Sequence, residues 1–318
     1  MEIPENELIR RLKRFEKKSQ KIIRGIGDDG AVVGMSRGEY VFVQDTVVEH
    51  VHFEFAFMDA RAVGKKALYV NISDIFSMGA IPLYFLVTIG IPGSMSYDDI
   101  RQLYAGMMQV AREFNVSLIG GDTSATKSDF FIDISAVGKL VTDHYLGRDG
   151  TKEGDLIGVT GFLGESAYGL YLLKKGIRRK KSRFIERYVN PKPPYGVWKE
   201  LIDRRIPSGM MDISDGLIID LERMMKESRK GAHVYFERLP VPRELVRKGK
   251  EHFALSGGED YQFLFSFHPA KLAAIEELQQ KGLPVSVIGR VIKGRGVKLF
   301  RDGNFMPVMS KGYEHFGD

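Results

Sequence analysis

The chain has 318 residues, a formal net charge of +6 and a hydrophobic fraction of 43%. A chain of this length is typical of two domains, and its apolar fraction is sufficient for each domain to bury a core of its own. The sequence contains no cysteine, which excludes disulfide bonds, thiolate metal sites and a cysteine nucleophile. The acidic N-terminus lacks the apolar stretch of a secretion signal, and no later window holds about eighteen uncharged apolar residues, so we expect a soluble, cytoplasmic protein.

Apolar periodicity and capping residues predict alternating helices and strands before residue 142. Helices are predicted over residues 6–18, 59–78 and 96–114, and strands over residues 40–43, 82–89, 116–119 and 130–141. Asp59 and Ser96 are placed to cap the second and third helices, because their side-chain oxygens can accept hydrogen bonds from the first helical N–H groups. The first strand runs into Asp45, and the third is expected to stop at Gly120-Gly121-Asp122-Thr123.

The polar segment from Thr142 to Gly154 is the predicted domain boundary. The chain is accordingly divided into residues 1–145 and residues 146–318. The second part is predicted to contain strands at residues 155–160, 261–267, 285–291 and 297–301, and helices at residues 165–174, 213–227 and 269–281. Helices and strands therefore occur together in both parts of the chain.

Acidic residues beside glycine, serine or asparagine recur along the chain. They occur in the motifs Gly27-Asp28-Asp29-Gly30, Asp45-Thr46, Asn71-Ile72-Ser73-Asp74, Gly121-Asp122-Thr123, Asp212-Ile213-Ser214-Asp215 and Gly258-Glu259-Asp260. One such motif alone is typical of a turn or a helix cap. Together, in a net-basic chain, they fit a site of oxygen ligands for Mg²⁺, with glycine N–H groups available to phosphate oxygens. The sequence has neither a P-loop nor a protein-kinase signature, so a nucleotide would be held by a different device.

Other interpretations of the sequence remain open at this point. Two basic segments, Arg10–Lys21 and Lys174–Lys192, are compatible with a nucleic-acid-binding module as well as with solvated helix faces. The segment Val159–Gly164 resembles a dinucleotide fingerprint, although basic residues stand where the acidic ribose ligand is expected. His50 and His52 alternate on a segment that we expect to be extended, and they would share a transition metal only with a third ligand that is not evident.

The acidic motifs and their neighbours, taken in order along almost the whole chain, resemble those of the thiamine-monophosphate kinases. The resemblance is carried by the segments Gly25–Ala31, Asp45–Val48, His52–Phe53, Ala67–Ala80, Leu118–Thr123, Gly154–Asp155, Asp212–Leu217, Leu255–Tyr261 and Lys311–Phe316. Because so many motifs agree in the same order, the sequence is identified as a member of this family.

The resemblance implies an α+β (mixed α/β) fold with the two-domain architecture of the aminoimidazole ribonucleotide synthetases. In that architecture the N-terminal domain, here residues 1–145, binds ATP and magnesium and forms a homodimer. The C-terminal α+β domain, here residues 146–318, covers the active site. The implied reaction converts ATP and thiamine monophosphate into ADP and thiamine diphosphate, the last step in making that cofactor, and it involves neither nucleic acid nor a membrane.

The resemblance also implies roles for individual residues. Several Mg²⁺ ions would be bound by Asp29, Asp45, Asp74, Asp122, Asp212 and Asp215. ATP would be contacted by Tyr104, Gly121, Asp122, Arg148 and Ser214, and thiamine monophosphate by His52, Glu259 and Tyr313. The choice between Asp28 and Asp29 as a metal ligand stays open. Relatives often have hydroxyl residues immediately before the aspartate that matches Asp45, whereas this chain has Val43 and Gln44. We expect no general base, because the acceptor phosphate is itself a nucleophile.

Overall fold

A computed structural model describes residues 39–178, 182–307, 312 and 313, together with residues 11, 13–15, 22–24, 32, 33 and 35. These residues form two compact units. Unit 1 comprises the described residues up to Ile75 and residues 80–141, and unit 2 comprises residues 76–79 and the described residues from Thr142 onward. Most of the helix predicted over residues 6–18 lies outside the described residues, and so do Asp28 and Asp29.

Unit 1 contains a short antiparallel pair of strands and a larger sheet with two helices. The elements are β1 (Ile22–Arg24), β2 (Val32–Val33), β3 (Tyr40–Val48), α1 (Ala60–Ser77), β4 (Ala80–Pro92), α2 (Tyr97–Glu113), β5 (Ser117–Thr126) and β6 (Phe131–Leu140). The order in the larger sheet is β3-β6-β4-β5. In this sheet β4 and β5 are parallel, and the other neighbouring strands are antiparallel.

Capping residues explain where the two helices of unit 1 begin. The Asp59 carboxylate accepts a hydrogen bond from the backbone N–H of Ala62 at 2.7 Å and so caps α1. Ser96 and Asp99 form a capping box at the start of α2, in which each side chain accepts a hydrogen bond from the other residue's backbone N–H. Both caps agree with the positions predicted from the sequence.

The two faces of the larger sheet are covered differently. Along β6, the buried residues Ile132, Ile134 and Ala136 alternate with the half-buried residues Asp133, Ser135 and Val137. Helix α1 lies against the buried face, where a Cβ atom on Gly138 would meet the side chain of Ile75. The opposite face, which we call the open face, carries the exposed side chains of Phe42, Gln44 and Leu86.

Helices α1 and α2 touch backbone to backbone. A Cβ atom on Gly64 would collide with the carbonyl oxygen of Leu103, and one on Gly106 would collide with the carbonyl oxygen of Arg61. The two glycines therefore allow the helices to approach more closely than larger side chains would permit.

Unit 2 is built on a seven-stranded sheet. Its helices are α3 (Glu165–Lys174), α4 (Arg183–Val189), α5 (Tyr195–Asp203), α6 (Leu217–Glu227), α7 (Arg243–Arg247), α8 (Phe253–Ser256) and α9 (Leu272–Gln280). Its strands are β7 (Leu156–Thr160), β8 (Gly209–Asp212), β9 (Gly231–Tyr235), β10 (Phe263–Phe267), β11 (Val285–Ile292), β12 (Gly296–Arg301) and β13 (Asn304–Met306). The strand order is β13-β12-β9-β11-β7-β10-β8, and within the described part of this sheet only β9 and β12 pair in parallel.

Helix α6 contributes one apolar face to the main core of unit 2. Leu217, Leu221 and Met224 are buried in the same cluster as the strand residues Val159 and Leu264. The spacing of the three helix residues by four and three positions places them on one side of the helix. Burial of side chains of this size stabilises the folded state by about 1.5–3 kcal/mol each.

Several predicted elements are present with different ends. Strand β3 extends to Val48 and β5 extends to Thr126, so Asp45 and Asp122 lie within strands rather than after them. Pairing of β5 with β4 along its whole length supplies the hydrogen bonds that hold this glycine-containing segment extended. The helix predicted from residue 213 begins at Leu217, which leaves residues 213–216 as a loop. The elements β1, β2, α5, α7, α8, β8, β9 and β13 are absent from the prediction.

Among the residues that the structure describes, no helix has both the length and the apolar composition to cross a bilayer.

The close contact between α1 and α2 predicts the effect of a small substitution. We expect Gly106→Ala to lower the free energy of unfolding by roughly 1–3 kcal/mol, because the backbone at Arg61 must move to admit the methyl group. Urea unfolding measures this change. Gly196→Ala is the matched control, since Gly196 is also helical and nothing lies within 4 Å of its Cβ position. If the two variants changed the free energy of unfolding equally, the contact between Gly106 and the backbone at Arg61 would be contradicted.

Candidate functional site

Strand register aligns polar residues on the open face of unit 1. Thr46 on β3 pairs with Asp133 on β6, which in turn pairs with Thr88 on β4. Thr88 also pairs with Asp122 on β5. Paired residues of neighbouring strands point to the same face of a sheet. Asp122 and Asp133 therefore share the open face, two strands or about 10 Å apart.

The Asp133 carboxylate holds two side chains of β3. The Gln44 Nε2 donates a hydrogen bond to its Oδ1 at 3.0 Å, and the Thr46 Oγ1 donates to its Oδ2. Asp45 lies between these two residues and is paired in register with Ile134. Because neighbouring residues of a strand alternate between faces, the backbone places Asp45 on the helix-covered side. The structure therefore brings Asp45 and Asp122 to the same level of the sheet but to different faces.

Asn71 and Asp74 lie three residues apart on α1. Asn71 is completely buried, and its Nδ2 donates a hydrogen bond to the Ala67 carbonyl at 3.0 Å. Its Oδ1 has no hydrogen-bond partner within the part of the chain that the structure describes. Leaving a buried polar atom unpaired costs about 1–3 kcal/mol, so this oxygen suits a ligand that supplies a donor or positive charge.

His52 is fixed by its neighbours in unit 1. Its Nδ1 accepts a hydrogen bond from the backbone N–H of Val48 at 3.1 Å, and its carbonyl accepts one from the Nζ of Lys66 at 2.9 Å. Lys66 is only 1% exposed. His50, in contrast, lies in a turn with φ of 66° and contacts Glu54 through its Nδ1. The expectation of an extended segment shared by His50 and His52 is therefore wrong.

Tyr104 and Gly121 occupy tightly packed positions in unit 1. Tyr104 is buried on α2, and its ring stacks on Phe15 with the centroids 5.6 Å apart. Burial raises the pKa of the Tyr104 hydroxyl above its ordinary value. On β5, a Cβ atom at Gly121 would collide with the carbonyl of Val87. Glycine is therefore required at the position immediately before Asp122.

In unit 2, the segment around Glu259 is bonded to the loop formed by residues 213–216. The backbone N–H of Glu259 donates to the Ser214 carbonyl at 2.7 Å, and that of Tyr261 donates to the Ile213 carbonyl at 2.9 Å. Glu259 and Tyr261 have φ of 66° and 46°. Left-handed values of this kind cost non-glycine residues about 1–3 kcal/mol and are concentrated at functional sites. The two hydrogen bonds hold the strained segment in place.

The C-terminal motif reaches the same loop. The backbone N–H of Tyr313 donates to the Asp215 carbonyl at 3.0 Å. A Cβ atom on Gly312 would collide with Ile219 in the first turn of α6, so the chain passes close to the helix. Unit 2 therefore brings together Asp212, Ser214, Asp215, Glu259 and Tyr313.

One buried carboxylate, that of Asp220, organises loop 213–216. Its Oδ2 accepts hydrogen bonds from the backbone N–H groups of Ser214, Asp215 and Gly216 at 3.1, 3.0 and 3.1 Å. Asp220 lies in the first turn of α6 and is fully buried. Burial raises the pKa of Asp220 to about 7, whereas the backbone N–H groups and Arg223 favour its ionised form. The shape of the loop therefore depends on a side chain outside the predicted site.

Arg223 joins Asp220 to Asp215. Its Nη1 donates to Oδ1 of Asp220 at 2.8 Å and also to Oδ2 of Asp215. Arg223 and Asp220 are three residues apart on α6, a spacing that brings side chains together on a helix surface. A metal ion at Asp215 would therefore either share the carboxylate with this guanidinium or displace it.

Arg148 is not brought to loop 213–216 by its backbone. Its carbonyl accepts a hydrogen bond from the Ser228 Oγ at 2.6 Å, at the C-terminal end of α6. Loop 213–216 precedes the N-terminus of that helix, which has 11 residues and is about 16 Å long. The two sites therefore lie at opposite ends of α6.

The N-terminus of α3, which follows the segment Val159–Gly164, is occupied by a side chain of the protein itself. The Asp260 carboxylate accepts hydrogen bonds from the backbone N–H groups of Gly164 and Ser166 at 2.6 and 3.1 Å, at the N-terminus of α3. Burial raises the pKa of Asp260 to about 7. The Asp260 carboxylate thus occupies the position at the helix N-terminus where the pyrophosphate of a dinucleotide would bind.

Two arginines in the described part of the basic segment 174–192 are paired with acidic residues. The Nε of Arg183 lies 3.3 Å from Oε1 of Glu165, and its Nη2 lies 3.1 Å from Oε2 of Glu244. The Nε of Arg187 lies 3.9 Å from Oε2 of Glu165. These ion pairs favour the interpretation of this segment as a helix surface.

Both units have counterparts among known proteins. Residues 27–140 match the family described as AIR synthase related protein, N-terminal domain, and residues 152–302 match AIR synthase related protein, C-terminal domain. The chain is 32% identical to the thiamine-monophosphate kinase of Buchnera aphidicola subsp. Acyrthosiphon pisum, over 99% of this chain and 100% of the relative. It is 31% identical to that of Bacillus subtilis, over 92% of this chain and 93% of the relative. The chain belongs to the thiamine-monophosphate kinase family.

Solved structures of this family share the fold. The thiamine-monophosphate kinase of Stenotrophomonas maltophilia K279a is 31% identical, with a TM-score of 0.83 over 96% of this chain and 99% of that chain. AaThiL complexed with AMPPCP and TMP is 30% identical, with a TM-score of 0.77 over 98% of this chain and 97% of that chain. The predicted membership of the thiamine-monophosphate kinase family and the predicted two-domain fold are confirmed.

The metal ligands expected in a thiamine-monophosphate kinase are all oxygen donors, which Mg²⁺ prefers. They are divided between Asp45, Asp74 and Asp122 in unit 1 and Asp212 and Asp215 in unit 2, with Asp29 outside the described residues. Within the described ranges, no three Asp, Glu or His side chains lie close enough together to hold an ion. The donor chemistry and the unpartnered Oδ1 of Asn71 fit Mg²⁺, and neither unit contains the complete set by itself.

Three charged residues that contact these family motifs or their neighbours are not among the site residues predicted from the sequence. They are Lys66 beside His52, Asp133 beside Asp45, and Asp220 beside loop 213–216. Each is a charged residue within or next to an apolar run; Asp133, for example, lies between Ile132 and Ile134. A charge in such a run is the signal that could have identified them, because a charged residue is seldom buried unless it is paired.

The role of Asp220 predicts the effect of removing its carboxylate. We expect Asp220→Ala to lower the free energy of unfolding by about 3 kcal/mol, because three N–H groups and Arg223 lose their acceptor. Denaturant unfolding followed by the fluorescence of Trp198, the single tryptophan, measures this change in unit 2.

Two further variants separate the contributions within this network. Asp220→Asn should lose less stability, since its amide oxygen still accepts from the loop and only the bond to Arg223 is removed. Glu227→Gln, an exposed change on the same helix, should stay within about 0.5 kcal/mol of the wild type. Wild-type stability of Asp220→Ala would show that the loop does not depend on this carboxylate.

Proposed function

We propose that this protein transfers the γ-phosphoryl group of ATP to thiamine monophosphate, which gives ADP and thiamine diphosphate. The observation that carries the proposal is the similarity over nearly the whole chain to thiamine-monophosphate kinases. The convergence of five expected site residues on loop 213–216 supports it. The protein is then a phosphotransferase with a phosphate group as acceptor, and it catalyses the final step of thiamine diphosphate biosynthesis.

The chemistry of the acceptor makes a general base unnecessary. A phosphate monoester has a second pKa of about 6 and is mostly a dianion at pH 7, so its oxygen is already nucleophilic. In a direct in-line transfer, a bond forms between this oxygen and the γ-phosphorus while the bond to the β,γ-bridging oxygen breaks and ADP leaves. No protein residue is phosphorylated, and catalysis comes from alignment and charge neutralisation.

The proposal divides the site residues between the two substrates. ATP is contacted by Tyr104, Gly121, Asp122, Arg148 and Ser214, and thiamine monophosphate by His52, Glu259 and Tyr313. The Tyr313 side chain is 45% exposed, and an aromatic face of this kind attracts a cationic thiazolium by about 0.5–2 kcal/mol. The Arg148 guanidinium is suited to stabilise negative charge on phosphate oxygens.

The aspartates hold the metal ions in this proposal. Asp29, Asp45, Asp74, Asp122, Asp212 and Asp215 are the ligands of Mg²⁺. When bound, Mg²⁺ neutralises negative charge on the two phosphorylated substrates and so permits their approach. The hydrogen bonds of loop 213–216 hold the Asp215 backbone, and β8 holds Asp212 through its pairing with Phe263. Both carboxylates are therefore carried on backbone that is fixed before a substrate binds.

A second copy of this chain is the proposed partner of the open face of unit 1. Phe42 is 73% exposed and Leu86 is 38% exposed, and with Val137 they line a groove on this face. Exposed apolar side chains that form a continuous patch are typical of a protein–protein interface. The homodimer formed through the N-terminal domain, as the resemblance implies, would cover this patch. A cytoplasmic location is part of the same proposal and is compatible with the cysteine-free sequence.

The reaction is tested by supplying ATP, Mg²⁺ and thiamine monophosphate. We expect thiamine diphosphate and ADP to form in equal amounts, and no product with thiamine, which lacks the acceptor phosphate. Release of ADP without thiamine diphosphate would contradict the proposed acceptor. A stable phosphorylated protein in single-turnover experiments would contradict direct transfer.

Removal of one expected metal ligand should abolish most of the activity. We expect Asp122→Asn to lower kcat on the order of 100-fold or more, because a carboxylate that neutralises cation charge is lost. Circular dichroism should show an unchanged fold, since Asp122 is exposed. Asp129→Asn removes the same charge from an exposed loop of unit 1 and should retain wild-type kcat. Wild-type turnover of Asp122→Asn would remove this residue from the metal site.

The proposed dimer predicts a change in molecular mass. We expect Phe42→Asp to produce a monomer at micromolar concentration, because an unpaired charge would be buried in the interface. Light scattering after size-exclusion chromatography measures the mass. Phe305→Asp is the matched control, since Phe305 is 62% exposed on β13 in unit 2. A monomeric wild type, or a dimeric Phe42→Asp variant, would exclude this face as the interface.

A further inference from the structure

Asp133 occupies an unusual position for an aspartate. It lies in the middle of β6 between the apolar residues Ile132 and Ile134. Aspartate is disfavoured in strands, because it neither packs well on a pleated surface nor leaves the backbone undisturbed. None of the motifs that carry the family resemblance includes this residue. An aspartate within a strand needs interactions that offset this unfavourable position, and Asp133 makes two.

Both interactions of Asp133 are with residues next to Asp45. The Gln44 Nε2 donates to Oδ1 at 3.0 Å, and the Thr46 Oγ1 donates to Oδ2. Gln44 and Thr46 directly precede and follow Asp45, and all three lie in β3. Both bonds end on one carboxylate, so one side chain of β6 holds two side chains of β3. These bonds add to the pairing of β3 with β6 in holding the backbone on both sides of Asp45.

The direction of the Asp45 side chain follows from this arrangement. Asp45 points away from the open face, since side chains alternate along a strand. The direction of its Cα–Cβ bond is therefore set by the backbone that the β3–β6 pairing and the bonds of Gln44 and Thr46 hold together. Such support favours metal binding. A carboxylate whose orientation is already fixed loses less conformational entropy when the ion binds.

The Gln44 side chain is oriented by the same contact. A carboxylate only accepts hydrogen bonds, so Gln44 must present its NH₂ group to Asp133. The Gln44 Oε1 is consequently turned away from Asp133. An amide oxygen is a suitable ligand for a hard cation, directly or through one of its water molecules. Gln44 stands where relatives often have a hydroxyl residue, but its side chain lies on the open face and that of Asp45 on the other face, so the two side chains do not meet at one ion.

We propose that Asp133 is a positioning residue for the phosphoryl transfer, which holds Gln44 and Thr46 on the open face and thereby supports the β3 backbone that carries the Asp45 carboxylate for a metal ion on the opposite face. The inference rests on the proposed role of Asp45 as a metal ligand. It adds a residue of β6 to a site that the motifs alone assign to other elements. Loss of an outer partner of this kind typically weakens metal binding 10- to 100-fold.

Metal binding to the nucleotide-free protein tests the inference apart from turnover. The free Mn²⁺ signal in electron paramagnetic resonance gives the dissociation constant for Mn²⁺, and the kinase assay gives the Mg²⁺ concentration for half-maximal activity. We expect Asp133→Ala to raise both quantities roughly 10-fold or more, with a much smaller change in kcat at saturating Mg²⁺. Asp129→Asn, which removes a charge from an exposed loop of the same unit, should change neither.

The proposed role of Asp133 also predicts how variants combine. Gln44→Ala should weaken Mn²⁺ binding, and the Gln44→Ala/Asp133→Ala double variant should be no weaker than Asp133→Ala alone, because the two residues act through one interaction. Asp133→Asn should restore part of the affinity, since its amide oxygen can still accept from Gln44. Additive losses in the double variant would overturn the inference.

Asp45→Asn, measured in the same series, distinguishes this inference from the proposed function. If Asp45→Asn loses Mn²⁺ affinity while Asp133→Ala keeps it, the positioning role is wrong and the metal assignment stands. If both variants bind Mn²⁺ like the wild type, Asp45 is not a ligand and both statements fail. Circular dichroism and light scattering report the fold and the oligomeric state of each variant. Should Asp133→Ala fail to fold, unchanged Mn²⁺ affinity of Gln44→Ala would overturn the inference.

Discussion

The carboxylate of Asp220 is the constraint on which the unit 2 part of the site depends. Backbone N–H groups in a tight loop require acceptors, and one oxygen of Asp220 serves Ser214, Asp215 and Gly216 together. With the N–H groups directed inward to Asp220, the carbonyls of the loop are available to the Glu259 and Tyr313 segments. A buried charge thus organises distant parts of the chain around one short turn.

In unit 1, strand register brings acidic residues from distant parts of the chain to one face of the sheet. Asp122 and Asp133 belong to different strands, and they share a face because both pair with Thr88 on β4. Gly121 permits this pairing, since any side chain there would collide with the neighbouring backbone. In both units the acidic residues that we assign to ligands are carried by backbone that is fixed by other residues, and those residues are themselves acidic in two cases, Asp133 and Asp220.

The sequence predicted the acidic motifs more completely than the residues that hold those motifs in place. Caps at Asp59 and Ser96 are local signals, so the starts of α1 and α2 were predicted correctly. Asp45 and Asp122 were placed after strands because glycine and aspartate usually end them, whereas pairing with β6 and β4 extends β3 and β5 through these residues. The support of Asp45 by Asp133 joins residues 88 positions apart, and no local pattern reports such a contact. The site assignments themselves stay predictions that the experiments above address.

Alternation along β6 restricts how this part of the molecule can diverge. Between Asp133 and Gly138, every second residue faces α1 and the others face outward. Deleting or inserting one residue within this stretch would exchange the two sets, burying the Asp133 carboxylate against apolar neighbours and exposing Ile132 and Ile134. Substitution of a single outward-facing side chain leaves this alternation unchanged. Evolutionary change in this strand is therefore expected to proceed through substitutions at constant length, and length variation to be confined to the turns that flank it.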